Sequence, residues 1–382
     1  MAESLLLFLA ATGIVWAAIW FTLRGKKDNL QVYPFLLIWR SGISQEAYPR
    51  GLKALALSLL GWPSIALMFF LQVLFYFVAI NMFVSRYLSP RPSAVTEGFV
   101  PFLPGVTVPL DINLIVILIA IGLAVMVHEL GHALMARAVG IKVRDSGFVL
   151  LAFIPGAFVE PDEEELKRSS LASRSKIYSA GVAANVLLAL LIAPLILLGS
   201  SYLAGGVLIS EVEAGSPAEL GGLRGGSVVI EVNGRSTATV EDFVRALESE
   251  GARDLSREVT LRLKVVEGEE VRELQLVKPE GRDKIGVRIS QFYKGGFLAL
   301  LALTTLNALV TINVALALVN AAPIFLPTPA GALVTDGAHL LGDLVARVAG
   351  ERVKLLVSST VGIATLLLVI SLITLTPIRF LP

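Results

Sequence analysis

Two histidines four residues apart, with a glutamate directly after the first, stand in His128-Glu129-Leu130-Gly131-His132, inside an apolar run from Leu114 to Ala138. A helix advances by about 100° per residue, so positions 128 and 132 can present both imidazoles to one ion from the same face. That is the geometry of a zinc-ligand pair. Glu129, not needed as a ligand, has the place of a general base for the attacking water. The competing reading is a helix that packs two histidines as ordinary core residues. It is disfavoured because ionisable groups in a membrane-length apolar segment are strongly destabilising unless they pair or act.

Elements of a particular kind must position these residues. The chain has 382 residues, 55% hydrophobic and 16% charged, against roughly a quarter charged in a soluble domain. With a mean hydropathy of +0.76, it reads as a polytopic α-helical membrane protein. A formal net charge of +1, with no strong basic block, argues against a nucleic-acid partner. There is no cysteine, so nitrogen and oxygen must hold any metal. Of the three histidines, His128, His132 and His339, two fall in the motif.

Hydropathy predicts about six spans. Leu5 to Leu23 is the first. Arg24, Lys26 and Lys27 follow it and no cation precedes it, the pattern of a retained span rather than a cleaved signal peptide. Together with Arg40 and Arg50 these cations place the following loop in the cytoplasm. An apolar patch, Val32 to Trp39, is expected to dip into the interface. Ala54 to Val84, with Gly61 and Pro63, fits either a tilted, kinked helix or a re-entrant piece. The run from Leu114 brings the two histidines towards the cytoplasmic end of their span. Phe148 to Ile154, a Pro155-Gly156 turn and Ala157 to Val159 suggest a hairpin at the membrane edge, with an interfacial loop as the alternative. Its free edge could pair with an extended peptide. Ile177 to Leu198 is a further span; it carries Gly181 and Asn185, an amide that needs a hydrogen-bond partner at that depth.

From about Gly205 to Ser290 charges return. Val207 to Val212 and Val228 to Val232 read as strands, the latter ending in Asn233-Gly234, and Ser216 to Leu220 as a capped helical turn. Val240, Phe243, Val244 and Leu247 have helical spacing, and residues 259–265 alternate as a strand does. The expected division is residues 1–203 as an N-terminal membrane region, 204–291 as a small α+β domain, and 292–382 as a C-terminal membrane region. The chain re-enters the membrane between Gly296 and Val319, passes Asn320 and Pro323, and reaches Asp336-Gly337. A last span runs from about Leu355 to Thr374.

These residues resemble the site-2 protease family of intramembrane zinc metalloproteases. Three motifs carry the resemblance: His128-Glu129-Leu130-Gly131-His132, the Gly181 to Asn185 group, and Asn320-Ala-Ala-Pro323 followed by Asp336-Gly337. The inserted domain resembles a PDZ domain through Ala214 to Ala218, Gly222-Leu223 and Ile230 to Gly234. Two features depart from the pattern: the interval from Pro323 to Asp336 is longer than usual, and Ser227 replaces the usual aspartate. The resemblance implies that His128, His132 and Asp336 ligate Zn2+ and that Glu129 is the general base. It also implies that Asn185 hydrogen-bonds the substrate backbone or helps with the oxyanion, and that Asn320 has a similar positioning role.

Two alternatives stand beside the aspartate assignment: Asp336 as a helix N-cap, and His339, one turn on, as the third ligand. Asp111 is excluded, since on a continuous helix it lies about 25 Å from His128. The expected activity is cleavage, within its transmembrane segment, of a single-span membrane-anchored regulator in the lipid bilayer, with the PDZ-like domain restricting access. The expected location is the cell membrane, with the site towards the cytoplasm and the PDZ-like domain outside. A zinc transporter using the same ligands and an inactive PDZ-bearing scaffold are the rival classes.

Overall fold

The computed structural model describes residues 2–375 except 24, 26–28, 49, 90–97, 253 and 329–330. The cations Arg24, Lys26 and Lys27, and Pro329 in the long interval, therefore lie outside the described residues. The chain forms two compact units, Met1–Ala193 with Thr305–Pro382, and Pro194–Thr304.

The first unit starts with α1 (Ala2–Leu23), β1 (Leu30–Tyr33), β2 (Leu36–Arg40) and α2 (Leu52–Phe83), which continues through a π-helical turn at Val84–Leu88. Then come α3 (Ile112–Ala138), β3 (Val143–Leu151), β4 (Ile154–Pro161), α4 (Glu163–Arg168) and α5 (Leu171–Leu203). The second unit holds β5 (Ala204–Val212), α6 (Pro217–Leu220), β6 (Val228–Val232), β7 (Arg235–Ser236), α7 (Val240–Ser249), β8 (Val259–Glu267), β9 (Glu270–Lys278) and β10 (Val287–Tyr293). The chain returns through α8 (Gly296–Ala321), β11 (Phe325–Thr328), β12 (Gly331–Val334), α9 (Asp336–Ala349) and α10 (Glu351–Ser371).

Among the described residues six helices are long and apolar enough to cross a membrane: α1, α2, α3, α5, α8 and α10. Large apolar side chains such as Leu7, Phe70 and Leu190 face outward on them, the arrangement a lipid solvent favours. The run after Ala54 is one continuous helix with Pro63 in its interior, not a re-entrant piece.

The apolar patch Val32 to Trp39 is extended chain. It forms β1 and β2, which join β3 and β4 in an antiparallel sheet of order β1-β2-β3-β4. Trp39 pairs with Phe148 across β2 and β3, and the two rings stack at 5.7 Å. The hairpin of β3 and β4 exists, but its turn is Ala152-Phe153, with Ala152 at φ 55°, while Pro155 and Gly156 lie within β4. Because β4 ends the sheet, Pro155 removes no ladder bond from a second neighbour. α1 fastens this turn: Trp16 Nε1 donates to Ala152 O at 2.6 Å, and Phe8 meets Phe153 edge to face.

In the second unit the strands run β10-β5-β6-β8-β9, with β7 paired to β6. Ile209, Val229, Phe243, Leu261, Leu263 and Leu276 form its core. Asn233 (φ 49°) and Gly234 (φ 81°) make the turn after β6, which needs two left-handed residues. Thr239 and Asp242 close a capping box that starts α7. β10, absent from the sequence reading, pairs with β5.

Candidate metal centre

α3 carries His128, Glu129 and His132. Gly131, between them, lets α5 approach: a Cβ there would stand 2.6 Å from Ala180 O. α5 in turn places Gly181 beneath the imidazoles, where a Cβ would stand 2.5 Å from His132 Nε2 and 2.8 Å from His128 Nε2. Asp336 opens α9, and Gly337 next to it packs so tightly on the end of α8 that a Cβ would overlap Ala321 O. Glycines thus make room at each helix that supplies or flanks a ligand.

The long interval before Asp336 is a β11–β12 hairpin whose ends are tied together. Thr335 Oγ1 donates to Ala322 O and accepts from Ile324 N at 3.0 Å. Thr335 occupies the N-cap position of α9 without a side-chain capping bond, because its hydroxyl serves this closure. The aspartate is therefore delivered beside Ala322 although the chain detours through two strands.

His128, His132 and Asp336 converge: one ligand atom from each lies within 4.8 Å of the others. Asp336 Oδ2 is 3.0 Å from His128 Nε2 and 3.4 Å from His132 Nε2, and the two Nε2 atoms are 3.1 Å apart. His132 Nδ1 donates to Ile177 O at 2.8 Å, which leaves its Nε2 with a lone pair. His128 Nδ1 bonds Asn185 Oδ1 at 2.7 Å, with the same consequence. Asp336 Oδ2 is buried and, despite the short distances, makes no hydrogen bond of acceptable geometry.

Two nitrogen lone pairs and a carboxylate oxygen facing one point repel each other unless a cation lies between them. The residues therefore fit a divalent ion, and with two imidazoles and one carboxylate the donor set suits zinc. The second ring nitrogens are held by a carbonyl and an amide, as ligating histidines require. Glu129 lies within electrostatic reach of both histidines and Asp336.

The remaining predicted residues lie as follows. Asn185 is wholly buried, and both its N–H groups are taken, by Ala124 O and Asn313 Oδ1, each at 2.8 Å. Its remaining polar atom, Oδ1, faces His128 Nδ1. Asn320 donates back to Leu316 O on its own helix. His339 is not part of the converging group; its ring stacks on Tyr178 at 5.2 Å. Asp111 caps α3 by accepting from Asn113 N. Sequence reasoning passed over Asn313, one of three asparagines in α8 with Asn307 and Asn320, whereas Asn185 is the single amide of its span.

A family model described as Peptidase family M50 matches residues 116–371. An uncharacterised protein of Methanocaldococcus jannaschii is 29% identical over 192 residues, 50% of this chain and 46% of that one. A putative zinc metalloprotease of Clostridium acetobutylicum is 25% identical over 155 residues, 34% of this chain and 45% of that one. A membrane-bound transcription factor site-2 protease homolog of Arabidopsis thaliana is 30% identical over 147 residues, 37% of this chain and 28% of that one. The chain spans less than half the length of each of these relatives.

Proposed function

The chain belongs to peptidase family M50, the family of the site-2 proteases, and from that premise we propose that it is a zinc-dependent endopeptidase acting inside the membrane. It hydrolyses a peptide bond within the transmembrane segment of a single-span, membrane-anchored regulator. The observation that carries this reading is the convergence of His128, His132 and Asp336 in a unit built of membrane-length helices.

His128, His132 and Asp336 would hold the zinc. When bound, the ion acidifies water to near neutrality and polarises the peptide carbonyl. Glu129, adjacent to His128, takes the proton from the attacking water and returns it to the leaving nitrogen. Ile177 O and Asn185 keep the two imidazoles in the orientation that leaves Nε2 free. A carbonyl in a helix is hydrogen-bonded and screened, so the substrate's span must open before attack. Spans weakened by Gly, Pro or Asn near the cut suit this requirement. β4, which has a strand neighbour on one side only and packs against α3, offers backbone groups to the extended segment.

The protein is read as a multi-pass protein of the cell membrane, its site towards the cytoplasm and its domain of residues 204–291 outside. That domain is read as PDZ-like and as limiting access to substrates whose outer part has already been trimmed. Deleting Gly205 to Ser290 should then permit cutting of untrimmed substrate, and unchanged selectivity would refute this role.

The test of the activity is incubation of the purified protein and its Glu129→Gln form with a panel of single-span substrates in detergent, with and without a chelator. Cleavage by the parent protein alone, abolished by the chelator, is expected, while Glu129→Gln keeps its zinc. Metal-replete, folded protein that cuts none of the panel would overturn the reading.

A further inference from the structure

Asn313 lies on α8, wholly buried like Asn185, at 0% exposure for both. Its Oδ1 accepts from Asn185 Nδ2 at 2.8 Å, and its own Nδ2 donates to Leu309 O at 2.8 Å. A backbone carbonyl only accepts, so the bond to Leu309 sets which end of the Asn313 amide faces Asn185. The same logic sets the next link. Asn185 must turn Nδ2 towards Ala124 O and Asn313 Oδ1, which leaves Oδ1 for His128 Nδ1. His128 then carries its proton on Nδ1 and points a bare Nε2 at Asp336.

We propose that Asn313 is a positioning residue of the metal centre, which acts through Asn185 to hold the ring orientation of His128. This inference rests on the metal-site reading given under the proposed function. Three helices, α3, α5 and α8, then decide together whether the ligand atoms converge. Without the Asn313 oxygen, one N–H of the wholly buried Asn185 is left unsatisfied. Ala124 O still anchors the other N–H, so the amide keeps its sense but is held by one bond instead of two. Its Oδ1 is then no longer held in line with His128 Nδ1, and the imidazole loses the fixed orientation that points Nε2 at Asp336. Packing alone gives Asn313 no such task, since a leucine of similar shape fills the same space.

The experiment uses the purified full chain in detergent and reads two quantities besides activity: the zinc dissociation constant by chelator competition, and the absorption spectrum of the cobalt-substituted protein. Asn313→Leu is expected to weaken zinc binding about ten-fold, the lower end of the usual effect of removing an outer-shell partner. It should also change the cobalt bands. In an Asn185→Leu background the same substitution should add nothing, because the link is already broken. Asn313→Asp, which as a neutral buried acid keeps both hydrogen bonds, should restore wild-type binding. A leucine variant with wild-type affinity and an unchanged cobalt spectrum overturns the proposal, as do losses that multiply in the double variant. Should the leucine variant fail to fold by circular dichroism, the comparison of Asn313→Ala with Asn313→Asp decides, and equal affinities overturn the proposal. A parent protein whose zinc is unaffected by His128→Ala would instead overturn the metal-site reading itself.

Discussion

Gly181 lies directly under the imidazole of His132, with space for a hydrogen and none for a methyl group: a Cβ would stand 2.5 Å from Nε2. Gly181→Ala should therefore push the ring off the convergence point while α5 keeps its helical course. The expected outcome is loss of bound zinc, measured by elemental analysis, with little change in helical content. Full zinc occupancy in a folded alanine variant would show that the ring has room to move.

Asp336 and His339 are separated by one helical turn but face different neighbours. Asp336→Asn should lower zinc affinity by at least ten-fold, because the asparagine supplies no negative charge to the ion. His339→Ala should keep its zinc and lose the stack on Tyr178, lowering the thermal midpoint by a few degrees. The reverse pattern, zinc retained in Asp336→Asn and lost in His339→Ala, would exchange the two assignments.

Lys278 is a fully buried cation in the second unit whose Nζ donates to Asp254 O at 2.6 Å and Arg282 O at 2.8 Å. Lys278→Met keeps the apolar stem and strands these carbonyls, a destabilisation of about 3 kcal/mol. Limited proteolysis of the full chain should then cut between residues 250 and 258 faster than in the parent. Equal cutting rates would show that the loop is held by other contacts.

Asp162 caps α4, accepting from the N–H groups of Glu164 and Glu165, and pairs with Arg144 at 2.8 Å. The backbone N–H of Glu165 and the Arg144 guanidinium hold its carboxyl below the usual range. A depressed folded value means that the contribution is complete above the ordinary aspartate pKa and fades as pH falls through the folded one. Hydrogen exchange in residues 163–168 should be faster in Asp162→Ala than in the parent at neutral pH. The difference should shrink once the medium is acid enough to protonate the parent's carboxyl, whereas a constant difference would argue against the cap.

Much of the arrangement could be read from local signals. Apolar runs longer than a soluble helix marked the spans, and the four-residue spacing of His128 and His132 needed only the pitch of a helix. Asn233-Gly234 declared its turn because both residues tolerate left-handed backbone. The signals failed where partners are remote. β2 depends on pairing with β3, more than 100 residues away, and β1 on pairing with β2, and neither Phe35 nor Ala152, both at positive φ, has a composition that announces a turn. Pro155-Gly156 looked like that turn, yet an edge strand tolerates both residues. The hydrogen bonds of Asn185 and Asn313 depended on which atoms met across α3, α5 and α8, and periodicity along one helix carries no information about that.

The knot of hydrogen bonds among Ala322, Ile324 and Thr335 separates chain length from geometry. With both ends of β11–β12 anchored at one spot, the strand pair can grow or shrink without shifting the carboxylate that follows it. Spacing between Pro323 and Asp336 is then a poor yardstick for relatedness in this part of the chain. The same independence makes the hairpin a place to attach a reporter group that leaves the ion's surroundings intact.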